Sequence, residues 1–123
     1  MKLQLSQSGN DPYFTSYGDG YVAVSGERYE HNLLVMPGHA VERWEVAGFE
    51  TLSSADFAAL LALEPEVVVL GTGAALRFPH PSVTGPLTAA GVGIEVMDTR
   101  AACRTYNILL SEDRKVVAAI LVA

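Results

Sequence analysis

The chain has 123 residues, half of them hydrophobic and 18% charged, and its eight basic and fourteen acidic residues give a formal net charge of -6. That length suits one domain with a core that needs no disulfide or metal, and the composition is globular rather than disordered. The acidic balance speaks against a broad phosphate-backbone interface and a polybasic contact with anionic lipid, and a single cysteine, Cys103, excludes an internal disulfide.

Taken in chain order, the first third reads as β. The turn signal Tyr17-Gly18-Asp19-Gly20 precedes a strand over 21–24. A second turn is read at 25–27, and an extended pattern resumes over 29–36 until Pro37-Gly38 stops it. Val41, Trp44 and Val46 suggest another short strand with alternating faces. Ser53 has the chemistry of a helix N-cap, with Asp56 placed where a carboxylate favours the positive end of the helix. Phe57, Ala58, Leu60 and Leu61 recur at helical spacing as one apolar stripe, and Pro65 closes that helix.

Residues 66–70 form a continuous β-branched run ending in Gly71, the pattern of a strand covered on both faces. A short helix is expected over 82–90 with Gly91 as its C-cap, then a strand over 92–97. Asp98 or Thr99 caps a further helix whose apolar positions are Ala102, Cys103, Tyr106 and Leu110. Residues 112–114 make a turn, and 115–122 form a last apolar strand. This alternation is the βαβ signature and predicts an α/β sandwich with a β-rich N-terminal layer. No repeat or linker divides it, so a single domain over 1–123 is expected.

The segments VVVLGTG, GVGIEVMDT, AACRTYNILLSEDRKVVAA and GERYEHNLLVMP, in their order, resemble the Mth-type domain of unknown function. That family contains bacterial and archaeal structural-genomics targets, a mitochondrial complex I assembly factor and an adipogenesis-associated Mth-domain protein. The resemblance covers almost the whole chain. It implies a single three-layer α/β domain with a mixed central sheet, helices and an additional N-terminal β layer. It implies no established catalytic residues, and none are assigned.

Several groups invite a chemical reading beside a structural one. Gly71-Thr72-Gly73 ends a strand as a phosphate-binding turn does, and Glu95 and Asp98 lie where a ribose-binding acid would sit. The third glycine of a dinucleotide fingerprint is replaced by Leu76, however, and Arg77-Phe78-Pro79-His80-Pro81 displaces the next helix start. Prolines also remove N–H donors, so a tight turn under close packing is the favoured reading. Cys103 falls near a helix start with Arg100 and Arg104 beside it, which favours a thiolate. Its place on the apolar stripe favours a space-filling thiol instead. Tyr106-Asn107, with Thr99 and Thr105, suggests a polar cluster at a pocket rim. Asn107 is unfavourable in mid-helix, which points to a specific partner for its amide, a neighbouring loop before a ligand. Trp44 and Tyr13, Tyr17, Tyr21 and Tyr29 serve either an interface or the packing of the β layer.

The histidines His31, His39 and His80 have no metal-ligand spacing, and no hydrolase or nucleotide-triphosphate motif occurs. No cofactor and no metal are expected, and the chain leans away from enzymes. The opening MKLQLSQSGND lacks the apolar core of a signal peptide. The longest apolar run, the last eight residues, falls short of the ~20 of a membrane span. The expectation is a cytoplasmic binding or assembly-type module with a protein partner, no nucleic acid and no membrane insertion, as a monomer or small homo-oligomer. The alternative is a small-molecule or nucleotide pocket between the GTG turn and the helix, using Gly71, Thr72, Gly73, Arg77, Thr99, Cys103, Tyr106 and Asn107.

Overall fold

The computed structural model describes residues 11–122, so most of the opening stretch read for a signal peptide lies outside the described residues. Two strands that are buried at all six positions organise the rest: β6 (Val67–Thr72) and β8 (Val116–Leu121). Such nearly continuous apolar runs fit the middle of a sheet covered on both sides. The two pair in parallel, from Val67 with Val116 to Thr72 with Leu121. β7 (Gly93–Met97) adds in parallel to the other side of β6, while β4 (Leu33–Val35) and β5 (Glu42–Arg43) continue antiparallel beyond β8. The central sheet is thus mixed, in the order β5-β4-β8-β6-β7.

Strand alternation divides the core into two faces. Val68, Leu70, Val117, Ala119 and Leu121 face α1 (Ser54–Ala58), the 3-10 turns that continue it (Ala59–Leu63), and α2 (Pro81–Ala89). On this side Trp44 meets Phe57 edge-on, with centroids 6.0 Å apart. Val67, Val69, Val116, Ala118 and Ile120 face α3 (Thr99–Ser111) and a separate antiparallel sheet. That sheet comprises β1 (Phe14–Gly18), β2 (Tyr21–Val24) and β3 (Glu27–Tyr29). Its β2–β3 hairpin turns at Ser25 and Gly26, with φ of 50° and 86°. This is a single three-layer α/β domain with an additional N-terminal β layer.

The helix termini follow the local chemistry. Ser53 donates from its N–H to Asp56 at 2.9 Å, and Asp98, rather than Thr99, is the N-cap of α3, accepting Ala101 N–H at 2.9 Å. α2 starts one residue earlier than expected because Pro81 is suited to the first helical position, with His80 as its cap.

Two strand expectations need correction. The extended stretch 29–36 is not one strand: β3 ends at Tyr29 in the small sheet and β4 begins at Leu33 in the central one. Asn32 holds the corner, because its amide donates to Val46 O and accepts Val122 N–H, both at 2.9 Å. The strand around Trp44 shrinks to Glu42–Arg43. Trp44 follows it with its N–H bonded back to Asn32 O at 2.9 Å, so the chain curls around the same asparagine.

Candidate functional site

The GTG turn sits where α3 crosses the carboxyl end of β6. A Cβ added to Gly71 would lie 3.0 Å from both Ala102 Cβ and Thr99 Oγ1, and 3.1 Å from Ile120 Cδ1. Any side chain here would make these neighbours give by a few tenths of an ångström, so glycine suits this close approach of helix to strand. Gly73 turns with φ of 97°, and its N–H donates to Thr99 Oγ1 at 2.9 Å. The Thr99 hydroxyl in turn donates to Leu121 O at 2.5 Å, while its N–H donates to Gly73 O at 2.9 Å. The N–H that a phosphate cradle would offer is therefore spent inside the protein, on a buried threonine.

Thr72 closes the next turn. Its hydroxyl donates to Ala75 O at 2.7 Å and accepts Arg77 N–H at 3.2 Å. The Arg77 guanidinium pairs with Glu50 and lies 4.4 Å from the Phe49 ring centroid. The hydrogen bond from Arg77 holds the Glu50 carboxyl below its ordinary range.

Cys103, Tyr106 and Asn107 point elsewhere, toward the small sheet. Cys103 is fully buried, and burial pushes its thiol up to about 12, with nearby Arg104 opposing the shift. The two arginines that favoured a thiolate in the sequence serve the layer contact: Arg104 donates to Tyr17 Oη at 2.8 Å, and Arg100 reaches Asp19 at 3.2 Å. A buried neutral thiol reacts slowly. Iodoacetamide at neutral pH is expected to leave Cys103 unlabelled in the native protein and to label it fully in denaturant; intact-mass spectrometry reads both, and rapid native labelling refutes the assignment.

Tyr106 is also fully buried, edge-on to Phe14 at 5.3 Å and 84°, and its hydroxyl donates to Pro12 O at 2.8 Å. Burial raises its pKa. The Asn107 amide accepts Phe14 N–H at 2.9 Å and donates to Phe14 O at 2.8 Å. One side chain thus does the work of a neighbouring strand.

The eight residues do not line one cavity. Gly73 and Thr99 border a hollow of about 260 Å³ with Tyr17, Gly18, Asp19 and Arg100. Arg77 borders a different one of about 380 Å³ with Phe49, Glu50, Pro79 and His80. Cys103 and Tyr106 have no exposed surface.

Sequence reasoning passed over a different feature. Between β6 and α2, Leu76 is 51% and Phe78 71% exposed, on a loop braced by Thr72 and by the Arg77–Glu50 pair. A large aromatic held in the open on a fixed backbone is suited to anchor a protein partner, because little ordering remains to oppose binding. The available signal was Phe78 itself, an aromatic set between an arginine and a proline in a turn-rich segment. Among the described residues, no three His, Cys, Asp or Glu side chains are grouped to hold a metal ion, and no helix is long and apolar enough to cross a membrane.

Comparison with known proteins bears on the whole domain. Residues 14–121 match the model of a family described as Protein of unknown function (DUF498/DUF598). A curated relative, NADH dehydrogenase [ubiquinone] 1 alpha subcomplex assembly factor 3 of Mus musculus, is 32% identical over 123 residues, 98% of this chain and 66% of that protein. The chain therefore spans just under two thirds of that relative's length. The crystal structure of a Bordetella parapertussis protein superposes with a TM-score of 0.86 at 40% identity, covering 91% of this chain and 96% of that one. The solution structure of a Bordetella pertussis protein, a Mth938-like domain, gives 0.79 at 34% identity over 99% and 92%.

Proposed function

Because this chain belongs to the family of proteins of unknown function DUF498/DUF598, we propose its role from its own surface: a non-enzymatic binding or assembly-type module that acts through protein contacts in the cytoplasm, as a monomer or small homo-oligomer. The exposed Phe78 on its braced loop carries the reading. The name of the mouse relative, an assembly factor, supports a protein partner of the same general kind. A small-molecule or nucleotide site at the GTG turn is the weaker reading, since the Gly73 N–H and the Thr99 hydroxyl already satisfy one another.

The test is co-purification of the tagged full chain from its native lysate, beside the double variant Leu76→Ser, Phe78→Ser. Removing two apolar anchors from the centre of an interface costs on the order of 2–4 kcal/mol of binding. The partner should therefore disappear from the variant while the melting temperature stays unchanged. A partner retained in full by the variant refutes the loop as the anchor. A small ligand seen by native mass spectrometry, with no protein partner, refutes the module reading altogether.

A further inference from the structure

Among the described residues, no strand pairs with the outer edge of β7, where the central sheet ends. β7 runs five residues in regular parallel register with β6, without a bulge. Gly93 donates to Glu66 O at 3.1 Å. In a parallel ladder the inward-bonding residues alternate, so Gly93, Glu95 and Met97 bond to β6. The N–H and C=O groups of Ile94 and Val96 consequently face outward, and among the described residues no hydrogen bond takes them up. The remaining edges are shorter or occupied. β5 has two residues and β3 three, and β1, as long as β7, is irregular between Phe14 and Ser16 and bonded to Asn107 at Phe14.

Exposed sheet edges are ordinarily blunted by lysine, proline or a bulge. β7 has none of these, and its single charge is the exposed Glu95 at its midpoint. That charge decides what kind of strand fits. In an antiparallel pairing with a second copy, the register that uses all four outward groups sets Ile94 opposite Val96 of the other chain. It then places Glu95 directly opposite Glu95 in a non-hydrogen-bonded pair, where side chains lie closest and like charges repel. Among the described residues Glu95 makes no ion pair, and the chain carries a net charge of -6.

We infer that the outer edge of β7 is a strand-docking site for an extended segment of a partner protein, with a lysine or arginine opposite Glu95 and apolar residues opposite Ile94 and Val96. The inference rests on the protein-contact reading above and names the surface and the chemistry of the partner. Main-chain bonds to Ile94 and Val96 supply affinity, and the basic residue supplies selection.

Panning a phage-displayed library of random short peptides on the immobilised full chain tests this, followed by titration of the best synthetic peptide into 15N-labelled protein. The selected peptides should alternate apolar residues around a basic one and shift the Ile94 and Val96 amides first. Val96→Pro, which deletes an outward donor at an edge position that tolerates proline, should weaken binding about five- to tenfold. Glu95→Lys, a surface change that leaves the fold intact by its melting temperature, should weaken the same peptide and prefer its Lys→Glu counterpart. Failure to enrich any peptide overturns the inference, as does binding unchanged in both variants. Shifts centred on Leu76 and Phe78 overturn the edge alone and leave the protein-contact reading standing. A dimer that Val96→Pro dissociates gives the edge to a second copy and overturns it as well.

Discussion

Thr99→Val is expected to destabilise the protein by about 2–3 kcal/mol, although valine has nearly the same shape and opens no cavity. The hydroxyl it removes accepts from Gly73 N–H and donates to Leu121 O. Both bonds are buried in the seam between β6, β8 and α3. Each orphaned group carries its own desolvation cost, and the two add. Equilibrium urea unfolding reads the loss as a lower midpoint at unchanged slope. Thr99→Ser keeps the hydroxyl and should cost about 1 kcal/mol, the worth of a buried methyl. If valine costs no more than serine, the two hydrogen bonds together are worth no more than one buried methyl, and the role given to Thr99 fails.

Asn107→Leu should cost a similar amount, about 2–3 kcal/mol, but distributed differently. The branched outline is kept, while Phe14 N–H and C=O lose their partner in one step. Since Asn107 stands in for a strand along β1, its loss loosens the three-stranded layer in preference to the central sheet. Hydrogen exchange should show the amides of β1, β2 and β3 opening well below the free energy of global unfolding, with β6 and β8 still protected. Uniform loss of protection across both sheets would mean that the layers unfold as one unit and that the amide does not gate the smaller one.

The parts of this architecture that were legible in the sequence are those written in short-range patterns. The runs VVVL and VVAAIL announce strands buried on both faces, because a charged side chain in their middle would lack a partner. The strand and helix alternation of the second half gives the parallel strands β8, β6 and β7 and the crossing helices, while the mixed character of the sheet, which the family resemblance implies, comes from antiparallel β4. Asn107 stood out because asparagine is costly in mid-helix, and that cost is met by two bonds to Phe14. Gly71 read as a packing glycine, and a Cβ there would press on Ala102, Thr99 and Ile120.

What was hidden depends on distant pairs. The split of 29–36 between two sheets follows from Asn32 reaching Val46 and Val122, and no local pattern encodes that corner. The directions of Arg100 and Arg104 depend on Asp19 and Tyr17, some eighty residues earlier, so proximity to Cys103 along the helix was misleading. The exposure of Phe78 is likewise a property of the assembled surface. Its aromatic character alone placed it as readily inside the core.

The order of the central sheet has a consequence for how the protein is made. Among the described residues β8 follows every other strand in sequence, yet it lies between β4 and β6 and joins the antiparallel and parallel halves. A nascent chain that has not yet emerged beyond Lys115 therefore holds two incomplete half-sheets, each with an open apolar edge. Loop closure over this span comes late and is slow. The ribosome must release the chain through Leu121 before the keystone strand slots in. Until it does, the apolar edges of β4 and β6 stay unpaired, and that interval is when the domain is most open to aggregation.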